Sequence, residues 1–207
     1  MAVMDNIALV QRFIRLPLSQ RRAFLEKLAG KGLTLGQLPI PAAREGLDVI
    51  PLSYAQQRQW FLWQLEPDSS AYHIPSALRL KGTLDVPALA RSFQWLLERH
   101  ESLRTRFVET AEGVRQVIEA PASAFELPLQ YLPADASADT EQAVRDFVEA
   151  RTQALFDLQQ GPLLRVDLLR LAADDHVLVM TQHHIVSDGW SMQVLIEELV
   201  HAYAAFS

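Results

Sequence analysis

The sequence predicts an α/β protein of the α+β kind, a mixed sheet with helices packed on it, preceded by a helical N-terminal segment. Three observations predict it. Beyond residue 48, stretches of period-2 apolar alternation are interleaved with stretches of helical period, as in a sheet covered by helices. "HVLVMTQ" carries four apolar residues in succession, the pattern of a strand buried on both faces. Residues 1 to 47 show helical periodicity and then a Gly- and Pro-rich stretch, so a boundary is expected near residue 48.

In chain order, residues 5 to 29 read as amphipathic helix. Ile7, Val10, Phe13, Ile14, Leu25 and Leu28 fall at helical spacing, broken near Pro17. Ser19 is placed to cap a second short helix. "AGKGLTLGQLPIPAAREGLDVIPLS" follows as a linker or extended wrap. "SYAQQRQWFLWQLEP" reads as a helix offering Tyr54, Trp60, Phe61, Leu62 and Leu65 for packing, and "ALRLKG" alternates as a strand. "TLDVPALARSFQWLLERHE" is a helix with Asp85 at the cap and Pro87 in its first turn. Leu89, Phe93, Leu96, Leu97 and His100 mark one face. "LRTRFVE" and "VRQVIE" form a hairpin through "TAEG". A short strand lies near "LPLQYL". A helix over 139 to 155 turns Val144, Phe147, Val148 and Leu155 inward. "LLRVDLLRL" and "HVLVMTQ" are strands joined by "AADD". Residues 190 to 206 close as a helix with Met192, Leu195, Leu199, Tyr203 and Phe206 in phase.

Bulk properties narrow the function. At 207 residues the chain has room for one good core or two small ones. Apolar residues make up 49% and charged residues 21%, an ordinary globular balance. No run of about eighteen apolar residues exists, so no membrane span is expected. The N-terminus lacks the basic-then-apolar order of a secretory signal. The absence of cysteine excludes disulfides, thiolate catalysis and Cys-type zinc sites, and a cytoplasmic location is expected. The net charge of −6 without a basic stripe argues against a nucleic-acid partner.

The chemistry concentrates in "TQHHIVSDGW", residues 181 to 190. Successive side chains of a strand point to opposite faces. His183 and His184 therefore cannot share a pocket; one is expected in the core and the other toward a cleft. Neighbouring histidines also chelate poorly, so no metal is expected. Asp188 can cap the helix that begins near Trp190, and Gly189 can supply a turn dihedral. On spacing alone a plain capped corner and a catalytic one stand level.

"HHIVSDGWS" resembles the HHxxxDG signature of condensation domains of non-ribosomal peptide synthetases. "SYAQQRQWFLWQLEP" is similar to that family's first motif and "RHESLRTRF" to its second, in the same order. "YHIPSALRLKG" and "FDLQQGPLLRV" also resemble it. The resemblance covers residues 49 to 207. It implies a chloramphenicol acetyltransferase-like lobe. Family members have two such lobes with a tunnel between them, and residues 48 to 207 look like the N-terminal lobe, with the C-terminal lobe absent. Residues 1 to 47 then read as a linker or a docking segment for an upstream synthetase subunit.

The implied reaction is amide formation. The amine of an aminoacyl thioester attacks an upstream acyl or peptidyl thioester. Both are carried on phosphopantetheine arms of upstream and downstream peptidyl carrier domains, so the domain itself needs no cofactor. By resemblance His184 is the catalytic histidine. An α-amino group titrates near about 7.7–8, so His184 has two open roles, positioning the amine or taking its proton. Gly189 either turns the chain or offers a backbone N–H to the oxyanion. Asp188 is expected to brace the site through an ion pair with Arg104, although Arg104 alone reads as a solvated strand residue beside Arg106. Trp190 and Ser191 are expected along the tunnel, Trp190 alternatively as a core anchor. His183, His100 and Arg58 read as structural. "DGWS" fits condensation better than epimerisation, and the paired histidines disfavour cyclisation. A CoA-dependent acyltransferase would lack the second motif. The isolated 207-residue chain is expected to form little amide. The alternative function is a non-catalytic module that docks carrier domains or an upstream synthetase.

Overall fold

The computed structural model describes residues 2–38, 50–132 and 140–207. They belong to two compact units, Met1–Asp48 and Val49–Ser207. The first holds α1 (Ala2–Arg15) and α2 (Leu18–Ala29). Val10 and Leu28 are buried, and Phe13 meets Phe24 at 5.9 Å between ring centroids. Ile7 and Ile14, which fall at the same helical spacing, remain at the surface. Ser19 is not the cap: α2 starts directly after Pro17, whose extended backbone ends α1, and no side chain caps it. Of the linker reading, residues 39–49 lie outside the described residues.

The second unit runs β1 (Ile50–Pro51), α3 (Tyr54–Leu65), β2 (His73–Lys81), α4 (Val86–Arg99), β3 (Thr105–Thr110), β4 (Gly113–Ile118), β5 (Leu129–Tyr131), α5 (Thr140–Gln153), β6 (Leu164–Ala172), β7 (Asp175–His183) and α6 (Gly189–Phe206). A four-stranded sheet has the order β2-β7-β6-β5, antiparallel except for the parallel β5–β6 pair. The fold class is the one expected from the sequence. A second, antiparallel sheet β1-β4-β3 goes beyond that expectation. Its hairpin turns at Ala111–Glu112, where Gly113 takes φ 111°, a left-handed backbone that glycine tolerates without a Cβ clash.

β7 is buried along nearly its whole length. Leu178 and Met180 face Phe93 and Leu96 of α4 and Leu195 and Leu199 of α6, in the main core. Val177 and Val179 face the opposite side, against Val144, Phe147 and Val148 of α5. A third cluster gathers Trp60, Phe107, Phe156, Leu158 and Ile185.

Three expectations need correction. β2 starts at His73, four residues before the sequence pattern. Pro75 hides this start, yet an edge strand tolerates a residue that cannot donate. On α3 Trp60 is buried, but Tyr54, Phe61 and Leu65 are exposed. The helix packs through Gln56, Trp60 and Trp63 instead. Leu155 lies past the end of α5 and is exposed. Among the described residues no helix is long and apolar enough to cross a membrane.

Candidate active site

β7 ends at His183 and α6 begins at Gly189, so the motif is the corner between a buried strand and a helix. Alternation separates the histidines as expected. His183 is 3% exposed and lies among Phe156, His73 and Tyr72, with ring centroids 6.0 to 6.5 Å away. Its Nδ1 accepts the Ile185 N–H at 3.1 Å, which places the hydrogen of the neutral ring on Nε2. Burial, assisted by the neighbouring His73 and His184, pulls its pKa down to about 4. His183 is a neutral acceptor that closes the turn.

His184 is exposed. Its main chain is pinned on both sides. The His184 N–H donates to the Tyr72 carbonyl at 2.8 Å, and Gln59 Nε2 donates to the His184 carbonyl at 3.3 Å. Gln56 Nε2 donates to the next carbonyl, that of Ile185, at 3.3 Å. Sequence reasoning misses these anchors. Their signal is the glutamine run "AQQRQ" on a helix otherwise rich in large apolar residues.

Asp188 caps α6. Its Oδ1 accepts the Ser191 N–H at 2.8 Å and the Ser191 hydroxyl at 2.7 Å. These bonds, the hydroxyl's first, hold the carboxyl below its ordinary range. The expected ion pair with Arg104 is not formed. Arg104 closes a 3-10 turn, Glu101–Arg104, after α4. There its guanidinium donates to the Leu97 and Glu119 carbonyls, with Glu101 at 3.9 Å. Each group is held by nearer backbone partners, the arginine by the Leu97 carbonyl at the end of α4 and the Glu119 carbonyl just past β4, and the aspartate by an orphan N–H at a helix start.

Gly189 does not supply a left-handed turn, and an added Cβ there would meet nothing within 4 Å. It is the first residue of α6, where backbone N–H groups lack intrahelical partners and favour negative charge. Trp190 is 79% exposed, which overturns its reading as a core anchor. Together with Ser191 it borders a cavity of about 180 Å³. His100 also borders it, with Nε2 2.5 Å from Glu198 Oε2. Arg58 is exposed. Among the described residues no group of three or more His, Cys, Asp or Glu could hold a metal ion.

The family model described as "Condensation domain" matches residues 47–207. Malpibaldin synthetase of Mortierella alpina is 41% identical over 185 residues, 89% of this chain and 3% of that protein. Chondramide synthase cmdD of Chondromyces crocatus is 46% identical over 170 residues, 82% of this chain and 4% of that one. Among solved structures, the starter condensation domain of rhizomide synthetase RzmA matches with a TM-score of 0.69 at 29% identity, covering 76% of this chain and 38% of that one. The X-domain from teicoplanin biosynthesis matches with a TM-score of 0.71 at 34% identity, covering 81% and 35%. The chain thus spans a few per cent of these curated relatives and somewhat over a third of these solved chains.

Proposed function

The chain belongs to the condensation-domain family, and from that premise we propose that it contributes His184 and the α6 N-terminus to peptide-bond formation in non-ribosomal peptide synthesis. The amine of an aminoacyl group on one carrier domain attacks the thioester carbonyl of an acyl or peptidyl group on another. A C–N bond forms and the C–S bond breaks. The proton shed by the amine is available to the departing phosphopantetheine thiolate, and His184 is the group poised to relay it. Positioning of the amine by His184 serves the same step. The Gly189 N–H, at the positive end of α6, is placed to stabilise the oxyanion. Trp190 and Ser191 line the approach. Asp188 braces the corner by capping α6 and His183 by closing the turn. Residues 1 to 47 serve as a linker or as a docking segment toward an upstream synthetase.

The observation that carries this reading is the division of labour at the corner: a buried, neutral His183 beside an exposed His184 whose main chain is held at both ends. In the synthetase carrying this sequence, His184→Ala should lower amide formation by about 10²- to 10⁴-fold, the range of general acid–base contributions, with an unchanged melting temperature. An amide-forming rate equal to wild type in His184→Ala would remove His184 from the chemistry.

A second reading, a module that docks carrier domains without chemistry, is favoured by Tyr54, Phe61 and Leu65, exposed along one side of α3. Carrier-domain affinity that falls in Phe61→Asp, together with amide formation indifferent to His184→Ala, would select it.

A further inference from the structure

Gln59 carries a polar group where burial penalises it. It sits on α3 directly before Trp60, which is buried and meets Trp63 and Phe107 at 5.0 and 6.4 Å between ring centroids. Gln59 Oε1 is buried and has no hydrogen-bond partner among the described residues. A buried acceptor left unpaired lowers stability, and such groups are rare enough to call for an explanation. An apolar side chain of the same length would remove the penalty. Gln56, one turn earlier, is different, for both ends of its amide are used. Its Oε1 accepts the Ser53 N–H at 2.9 Å to close the capping box of α3. Its Nε2 donates to Gln116 Oε1 at 3.2 Å and to the Ile185 carbonyl at 3.3 Å. Gln56 thus ties α3, β4 and the corner together. Among the described residues Gln59 has one hydrogen bond, from Nε2 to the His184 carbonyl. Exchanging its amide oxygen and nitrogen would set two acceptors face to face there and bury a donor instead.

We propose that Gln59 is a positioning residue for the condensation step, fixing the main chain from which the His184 imidazole projects. The proposal rests on the reading of His184 as the reactive centre. β7 ends at His183, so the strand no longer holds the His184 carbonyl. One peptide group precedes the His184 Cα and one follows it. The first is held by the bond to the Tyr72 carbonyl and the second by Gln59. Each peptide group is planar, so holding both sets φ and ψ of His184 and with them the direction of its Cα–Cβ bond. Orientation of a reacting group contributes strongly to rate, and small misplacements are felt in turnover. The orphaned Oε1 is the loss of stability that accompanies this hold, as is common where function and stability compete.

The test is Gln59→Met in the synthetase carrying this sequence, which keeps the side-chain length and removes both the donor and the orphan. The melting temperature should stay unchanged or rise. Amide formation should fall about five- to tenfold in kcat, the effect of one hydrogen bond. KM for the carrier-bound substrates should not move, because the hold acts on the transition state and not on binding. In a His184→Ala background the same substitution should lower the residual rate no further, since its effect passes through the histidine. Full activity in Gln59→Met, a loss of rate that comes with a lower melting temperature, or an equal loss in the His184→Ala background would each overturn the proposal. A second measurement reads the hold without turnover. In the isotope-labelled 207-residue chain, the order parameter of the His184 amide should fall from about 0.85 toward about 0.6 in Gln59→Met, while those of Val179 and Met180 stay unchanged. An unchanged value at His184 would also overturn the proposal. Should His184→Ala form amide at the full rate while Gln59→Met loosens the His184 amide, the reactive-centre reading falls and the hold by Gln59 stands.

Discussion

His183 is held neutral by burial, and that makes it a pH-dependent element of stability. Its folded pKa is about 4, against about 6.5 for a histidine in an unfolded chain. Between those values the unfolded state binds the extra proton, so stability rises with pH across the window. The contribution is complete above about pH 6.5 and is lost as pH falls toward 4, on the order of 3 kcal/mol in full. The surroundings act in the same sense: His73 is also pulled down by burial, and Arg165 lies within electrostatic reach of it. Urea unfolding at pH 7 and pH 4.5 should therefore show a smaller pH-dependent loss in His183→Gln than in the wild type, because glutamine can still accept the Ile185 N–H but does not titrate. Identical losses in the two proteins would remove His183 as the cause. At this scale, strand alternation is enough to separate the two histidines from sequence. It is not enough to find the partner of Arg104, because the groups that hold Arg104 come from the end of α4 and from Glu119, brought together only by the hairpin's fold-back. In the sequence Gln182 is no more than part of a strand. Its burial with an unpaired Oε1 is visible only in the fold.

Among the elements, α4 and α6 show how far cap residues specify a helix. Asp85 accepts the Ala88 N–H at 2.8 Å, and Asp188 accepts the Ser191 N–H at the same distance. Both positions are legible because an aspartate precedes an apolar helical period, whereas Ser19 misleads because Pro17 sets the chain direction before any side-chain cap can act. Asp85→Ala should cost about 1 kcal/mol, the typical worth of a cap, read as a drop of about 2–4 °C in melting temperature for a chain of this size. Asp188 offers a sharper comparison. Asp188→Asn keeps an oxygen acceptor for Ser191 while discarding the charge. If Asp188 braces the corner as a cap, Asn should retain most of both melting temperature and amide formation, while Ala loses both. Should Asn be as damaging as Ala, the carboxylate's charge toward His184 would be the function, and capping would be secondary. The α3 helix marks the limit of pattern reading. Its large residues occur all around it, so the sequence cannot tell that Trp60 faces the core while Tyr54 and Phe61 face outward.

On the scale of the whole Val49–Ser207 unit, the two faces of the central sheet are built unequally. One face carries α4 and α6, which between them bury Phe93, Leu96, Leu195 and Leu199 completely or nearly so. The other carries α5, which has no fully buried residue and meets the sheet through half-buried Val144, Phe147 and Val148. The four apolar residues of β7 announce a strand covered twice, and that much is legible. They cannot announce that one cover is thick and the other thin, since all three helices show apolar periodicity and depth depends on neighbours. Free energy of local opening follows buried apolar contact, so α5 should open far below the global unfolding free energy and β7 should not. Hydrogen exchange should find the amides of Leu178, Val179 and Met180 exchanging only through global unfolding, with those of α5 faster by orders of magnitude. The site then inherits a definite asymmetry. The α6 start hangs on the deep face, with Leu195 and Leu199 anchoring α6 behind it, while His183 leans toward the shallower one, beside His73 whose Nδ1 bonds the Thr152 carbonyl at the end of α5. If the α5 amides prove as protected as those of β7, the shallow cover is wrong and the corner is held equally from both sides. If they exchange early while the first turn of α6 stays protected, the corner between β7 and α6 keeps its geometry through motions that open half of the layer behind it.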